Sequence, residues 1–150
     1  NMTESKFRFP LFIDLTGKKV VVIGGGKIAG RRIDTLLRFG ANVTVVAPEL
    51  LGAPEGVQWT ARKFEENDLA GATLAVAATD NRAANHAVYE EAIRFGIPVS
   101  IADCPEECTF YFPAVCFGEN LVAGVVSNGS DHTLTSRAAM EIRQVLEELK

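Results

Sequence analysis

The chain has 150 residues, of which 47% are hydrophobic and 23% charged, a balance typical of one globular domain with a sizeable core. No apolar run approaches the roughly 20 residues that span a bilayer, and residues 1–6 lack the apolar core of a secretion signal. The formal net charge of −4 argues against sequence-independent binding to nucleic acid. We therefore expect a cytoplasmic protein with one domain over residues 1–150, in which Asn1 is a remnant of an expression tag.

Strand and helix patterns alternate from residue 19 onward, and glycines follow two of the helical stretches, where they are suited to end a helix. The predicted elements are, in chain order, a strand at Lys19–Ile23, a helix at Lys27–Phe39, strands at Asn42–Val46, Val57–Lys63 and Thr73–Ala78, a helix at Ala83–Phe95 and a strand at Val99–Ala102. Helices between successive strands indicate a parallel sheet.

The pattern changes after residue 102. Only three residues separate Phe110–Phe117 from Leu121–Val126, which is too short for a parallel crossover and predicts an antiparallel hairpin. Thr133–Leu149 is a predicted helix with one apolar face, which carries Leu134, Ala138, Ile142, Val145 and Leu149. The fold class is therefore α/β and Rossmann-like, with a mostly parallel twisted sheet, helices on both faces, and the C-terminal hairpin as an antiparallel edge.

A glycine motif follows the first predicted strand, where the sequence from Val20 to Arg32 is VVVIGGGKIAGRR. Gly24 suits a tight turn, Gly26 lets phosphates approach backbone N–H groups, and Ala29 fills the small third position of G-x-G-x-x-G/A. The next helix N-terminus offers N–H donors and partial positive charge to an anion. Glycines here also have a purely steric explanation, but their position after the first strand favours dinucleotide binding.

Ligands of such sheets bind beyond the carboxyl ends of the strands, where the strand order reverses. We expect the segments at that edge to surround one crevice: Gly24–Lys27, Ala47-Pro48, Thr79–Asn81 and Asp103. No acidic residue ends the second strand, and Glu49 beyond it either faces solvent or binds a ribose. No arginine stands there to bind a 2′-phosphate, so NAD is favoured over NADP.

Two polar positions at this edge have both a structural and a functional interpretation. Asp103 is either a proton acceptor beside a nicotinamide or an Asx-turn or strand-end cap. Asp80 or Asn81 is predicted to cap the second long helix, with cofactor contacts from Thr79 as an additional role.

Arginines near the predicted helix starts are also open to two interpretations. Arg31 and Arg32 follow the glycine turn, and Arg137 lies near the start of the last helix. They are either solvated or bind carboxylates or the pyrophosphate, for which the guanidinium geometry is suited.

Cys104, Cys108 and Cys116 are an odd number of cysteines in a chain without a secretion signal, which favours reduced thiols over disulfides. The spacing of the first two is compatible with a metal clip, but there is no matching second pair, and His86 and His132 are distant in sequence. We therefore predict no metal site.

Three motifs occur in order along the chain. They are VIGGGKIAGRR at residues 22–32, AATDN at residues 77–81 with Asn85, and ADCP at residues 102–105 with Phe110 and Pro113-Ala114. With the opening segment Phe9–Leu15, they resemble the N-terminal dehydrogenase domain of siroheme synthases and the stand-alone precorrin-2 dehydrogenases, some of which are also sirohydrochlorin ferrochelatases. The resemblance covers nearly the whole chain.

The resemblance implies an enzyme of siroheme biosynthesis that uses NAD to oxidise precorrin-2, a tetrapyrrole rich in carboxylates, to sirohydrochlorin. It implies that Asp103 is catalytic. The cofactor-binding residues are then Gly24, Gly25, Gly26, Lys27, Ile28, Ala47, Pro48, Thr79 and Asp80. The candidate substrate-binding residues are Arg31, Arg32, Arg137 and Ser127.

Two departures from the family pattern leave other functions open. Relatives read S-T-G-G-x-S-P before the last helix, whereas residues 127–133 here read SNGSDHT. Members also carry a helical dimerisation segment beyond the point where this chain ends, so a homodimer is expected only if such a segment exists. The alternatives are a non-catalytic module that binds a dinucleotide or tetrapyrrole for a partner enzyme, or an additional ferrochelatase activity.

Overall fold

The computed structural model describes residues 7–129 and 131–149, which form two compact units. One unit is Ile13–Phe110, and the other joins the described residues up to Phe12 with those from Tyr111 onward. The elements are β1 (Lys19–Ile23), α1 (Lys27–Arg38), β2 (Asn42–Val46), β3 (Val57–Thr60), β4 (Leu74–Ala77), α2 (Arg82–Phe95), β5 (Val99–Ile101), β6 (Ala114–Phe117), β7 (Val122–Val125) and α3 (His132–Glu148). No helix among these described residues is both long and apolar enough to cross a membrane.

The larger unit contains a five-stranded sheet in the order β3-β2-β1-β4-β5, and every neighbouring pair is parallel. Its central strands are continuous apolar runs because both of their faces are covered. The chain moves outward from β1 through β2 and β3, then returns to β4 on the other side of β1. The strand order therefore reverses between β1 and β4, where a crevice forms beyond their carboxyl ends.

The helices of this unit cover opposite faces of the sheet. The β1–β2 and β4–β5 connections run in opposite directions, so right-handed crossovers place α1 and α2 on different faces. Val88 and Ala92 of α2 pack with Val21 and Ile23 of β1 in one core cluster. Alternation along the strand directs Val22 to the other face, where α1 buries its own apolar side chains. The predicted Rossmann-like α/β class is confirmed.

The hairpin of β6 and β7 is antiparallel, as predicted, but it forms a separate two-stranded sheet and not an edge of the parallel sheet. The outer edge of β5, away from β4, is covered by the segment that follows this strand. The Val99 N–H donates to Thr109 Oγ1 at 2.8 Å, and the Ile101 N–H donates to Cys108 Sγ at 3.2 Å. These bonds satisfy the backbone groups that an added strand would need.

Helix α3 lies in the smaller unit with the hairpin. Ala139 and Leu146 are buried with Cys116 of β6. Of the predicted apolar face, Leu134, Val145 and Leu149 are more than half exposed. A two-stranded hairpin offers too little surface to cover a face that wide.

Candidate functional site

The three glycines after β1 are required for different reasons. Gly24 has φ of +126°, and a Cβ there would lie 2.4 Å from the Ala78 carbonyl oxygen. A Cβ on Gly25 would lie 1.9 Å from the Glu49 carbonyl oxygen. At Gly26, by contrast, no atom lies within 4 Å of the Cβ position, and φ is −88°. Packing explains the first two glycines, whereas Gly26 leaves space that the chain itself does not fill.

Helix α1 begins directly behind Gly26. Its first turn contains no acidic residue, and the residue at the N-cap supplies no side-chain hydrogen bond. The Gly30 N–H makes the first hydrogen bond within the helix, to the Gly26 carbonyl at 2.9 Å. N–H donors of the first turn therefore remain for an anion, whose charge the helix dipole favours.

The glycine turn forms one side of a crevice of about 1170 Å³. The crevice is lined by residues 23–28 at the end of β1, residues 46–52 at the end of β2, Lys63 and Phe64 after β3, residues 78–81 after β4, and Ala84 and Ala87 of α2. All nine residues predicted to bind the cofactor line it. The structure thus brings together the segments that follow four neighbouring strands.

Lys63 and Phe64 line the crevice, although they are absent from the predicted site. They follow β3 at the same edge as the other segments. The sequence could have predicted them, because the rule that selects residues at the carboxyl ends of β1, β2 and β4 also selects the residues after β3.

The turn after β4 is held by the fully buried side chain of Asn85. Asn85 Oδ1 accepts from the Thr79 N–H at 3.1 Å, and Asn85 Nδ2 donates to the Thr79 carbonyl at 3.1 Å. Asn81 is the N-cap of α2, where its side chain accepts from the Ala84 N–H at 2.8 Å. This confirms one of the two predicted capping residues and gives Thr79 a fixed position beside the crevice.

Asp103 lies at the same edge of the sheet but does not line the crevice. Ala77 of β4 is in register with Ile101 of β5, and the pairing continues as Ala102 N–H donates to the Ala77 carbonyl at 2.9 Å. Asp103 follows in a turn, which the Cys104 N–H closes by donating to the Ile101 carbonyl at 3.3 Å. Its carboxylate forms an ion pair with Arg82 at 3.1 Å.

The candidate substrate residues lie in different surroundings. Arg31 is exposed, whereas Arg32 donates from Nη1 to Oγ of buried Ser100 at 3.2 Å. Burial lowers the pKa of Arg32, an effect that the nearby Cys108 opposes. Ser127 and Arg137 belong to the other compact unit.

The segment before α3 differs from the family pattern, and Asp131 has a local role there. Its side chain accepts from the Leu134 N–H at 2.9 Å as the N-cap of α3. Ser127 Oγ donates to the Gly129 carbonyl at 2.9 Å. Ser130 lies outside the described residues, as does Asn1.

The three cysteines are free. Burial raises the pKa of the Cys108 thiol, whose sulfur is engaged with the backbone of β5. The described part of the chain holds no group of three or more His, Cys, Asp and Glu residues with the geometry of a metal site.

Comparisons with known proteins agree with this geometry. A family model described as putative NAD(P)-binding matches residues 11–114. A probable multifunctional siroheme biosynthesis protein HemA of Ruminiclostridium josui is 48% identical over 145 residues, which cover 92% of this chain and 28% of that protein. A siroheme synthase of Nitrosospira multiformis is 39% identical over 144 residues, which cover 88% of this chain and 30% of that protein.

Among solved structures, SirC, precorrin-2 dehydrogenase, superposes with a TM-score of 0.75 at 28% sequence identity. The match covers 94% of this chain and 72% of that one. The chain spans less than a third of the length of the two curated relatives described above.

The fold and the crevice together define a nucleotide-binding α/β domain of the Rossmann type. The chain belongs to the family of putative NAD(P)-binding domains, and its resemblance to siroheme synthases and precorrin-2 dehydrogenases is confirmed. The predicted dinucleotide cofactor agrees with the NAD(P)-binding description of this family.

Proposed function

We propose that this chain catalyses the NAD-dependent oxidation of precorrin-2 to sirohydrochlorin in siroheme biosynthesis. The single observation that carries the proposal is the open glycine turn. Gly26 leaves space beside an N-terminus of α1 that has no side-chain cap, and both face a crevice large enough for a dinucleotide. The names of the relatives support the substrate class.

The residues present fit NAD along the crevice. Backbone N–H groups near Gly26 would hold the pyrophosphate, with Lys27 as a nearby positive charge. Ala47 and Pro48 would contact the adenosine half, as the segment after the second strand does in Rossmann folds. Thr79 and Asp80 would then border the nicotinamide half. Bound NAD supplies the hydride acceptor, and the chain supplies position and electrostatics.

Asp103 is the proposed proton acceptor. Its carboxylate forms an ion pair with Arg82 at 3.1 Å, and the residue remains exposed. Loss of hydride from a reduced tetrapyrrole leaves a proton to be removed, and a carboxylate beside the crevice can accept it. The carboxylates of the substrate are proposed to bind Arg31 and Arg32 near the glycine turn. Arg31 is the more accessible of these two arginines.

Three further assignments stay predictions. They are substrate contacts by Arg137 and Ser127, a homodimer of the full protein, and a cytoplasmic location. A ferrochelatase activity has no specific support from the described residues.

The test is an anaerobic assay of the chain with precorrin-2 and NAD, in which the absorbance of sirohydrochlorin is followed. The parent should form product, and Asp103→Asn should be slower by about 10²-fold. Asp34→Asn on the exposed side of α1 is the matched control and should keep the parent rate. Tight NAD binding without any product from the parent would contradict the proposal and favour the non-catalytic binding module.

A further inference from the structure

A chain of charged side chains links the N-terminus of α2 to the turn after β5. Arg82 Nη1 lies 3.1 Å from Asp103 Oδ1, and Arg82 Nη2 contacts Glu107 Oε1. His86 Nδ1 lies 2.5 Å from Glu107 Oε2, and His86 Nε2 lies 3.5 Å from Glu90 Oε2. Arg82 therefore sits between two carboxylates, one of which is the proposed proton acceptor.

The guanidinium of Arg82 is suited to hold two carboxylates in fixed directions, because it is planar and presents separate N–H donors. The Glu107 side chain is only 16% exposed, whereas those of Arg82 and Asp103 are 46% and 38% exposed. Glu107 is thus the more enclosed of the two anchors. It belongs to a 3₁₀ turn, in which its N–H donates to the Cys104 carbonyl at 3.1 Å.

Arg82 also connects Asp103 to the crevice. It is the first residue of α2 and directly follows Asn81, which lines the crevice. Ala84 and Ala87, in the first two turns of the same helix, line the crevice too. A side chain fixed to this helix end is therefore fixed relative to one side of the cofactor site.

We propose that Arg82 is a positioning residue for the reaction: it holds the carboxylate of Asp103 in a fixed direction, while Glu107, paired with His86, holds Arg82. The inference rests on the proposed function, in which Asp103 accepts the proton. Arg82 itself touches neither reacting atom. Its loss therefore affects the chemical step and leaves the cofactor crevice unchanged.

The experiment compares Arg82→Gln and Arg82→Lys with the parent chain in the anaerobic assay, together with calorimetric titration of NAD. We expect kcat of Arg82→Gln to fall by about tenfold or more, because misdirection of one catalytic group has this order of effect. The NAD dissociation constant should stay within about twofold of the parent value. Arg82→Lys keeps the charge and should recover part of the lost rate.

Two further readouts separate positioning from a general structural role. In Arg82→Gln the KM for NAD should stay within about twofold of the parent value while kcat falls, a split that a general loss of structure at the crevice would not give. Glu107→Gln should give a smaller fall in kcat than Arg82→Gln. Arg94→Gln, at the other end of α2 and also ion-paired, is the matched control and should keep the parent kcat.

The contradicting outcomes are distinct. If Arg82→Gln is as active as the parent while Asp103→Asn is inactive, the role of Arg82 is refuted and the proposed function stands. If Arg82→Gln loses NAD affinity in proportion to activity, Arg82 maintains the crevice and does not position Asp103. If Asp103→Asn retains full activity, the proton acceptor is wrong, and so is the role of Arg82.

Discussion

Replacing Gly26 by alanine separates folding from cofactor binding at the glycine turn. The backbone there has φ of −88°, which any L-residue adopts, and no atom lies within 4 Å of the new Cβ. The free energy of unfolding should therefore change by less than about 0.5 kcal/mol. The methyl group would instead occupy space in front of the first N–H groups of α1.

The neighbouring glycines predict the opposite result. At Gly24 and Gly25 the added Cβ meets backbone oxygens at 2.4 Å and 1.9 Å, so alanine should destabilise the fold by about 2 kcal/mol or more. Gly30→Ala, inside α1 with nothing near its Cβ position, is the control. It should stabilise the chain by about 0.5–1 kcal/mol without changing the affinity for NAD.

The assay is calorimetric titration of NAD beside urea denaturation for each variant. Gly26→Ala should raise the NAD dissociation constant by about tenfold or more, equivalent to about 1.4 kcal/mol, with an unchanged unfolding midpoint. Parent-like NAD affinity in a folded Gly26→Ala chain would refute the placement of the pyrophosphate. A loss of stability in that variant would refute the steric argument.

Three other predictions concern the surroundings of the crevice. Asn85→Ala leaves the Thr79 backbone unpaired and should lower the free energy of unfolding by about 2–4 kcal/mol in urea denaturation; an unchanged midpoint would contradict this. Glu49 lines the crevice after β2 and should repel the 2′-phosphate of NADP. Glu49→Gln should therefore improve NADP binding severalfold in calorimetry, with the affinity for NAD unchanged. Equal affinities of the parent for NAD and NADP would contradict this prediction. The His86–Glu107 pair should make stability depend on pH.

For that pair, the hydrogen bond with Glu107 raises the pKa of His86 above 6.5. The stabilisation is thus fully present below pH 6.5 and is lost as the pH rises through the raised pKa. Burial acts to raise the pKa of Glu107, but hydrogen bonds with His86 and Arg82 bring it below 4.5, so its contribution is lost as the pH falls further. The stability advantage of the parent over His86→Gln, measured by urea denaturation from pH 4 to pH 9, should disappear on the alkaline side. An advantage that grows with pH would contradict the assignment.

The sequence predicts the parallel sheet well because strands buried on both faces must be apolar runs, as β1 and β4 are. The position of the hairpin is a different matter. The Cys108 sulfur and the Thr109 hydroxyl accept hydrogen bonds from backbone N–H groups at the edge of β5. Nothing in the sequence predicts that these two side chains bind there. The exposure of much of the apolar face of α3 has a related reason, since periodicity shows an apolar stripe but not how much surface covers it.

At the site, too, the sequence does not show which atoms lie near a residue. It does not distinguish the three adjacent glycines, whereas in the structure the Ala78 and Glu49 carbonyls show that packing requires Gly24 and Gly25. The sequence places Asp103 at the correct edge of the sheet. Whether Arg82 lies close enough to pair with Asp103 depends on the register of β4 against β5 and on where α2 begins. The ion pair could therefore not be predicted from the sequence.

The most direct test of NAD binding at the glycine turn is a titration of the isotopically labelled chain, followed through its backbone amide resonances. Saturable shifts should be largest at Gly25–Ile28 and at Thr79–Asp80, on the two sides of the crevice. Shifts confined to the smaller cavity of about 270 Å³ at Gly96–Pro98, before β5, with none at the glycine turn, would contradict the account.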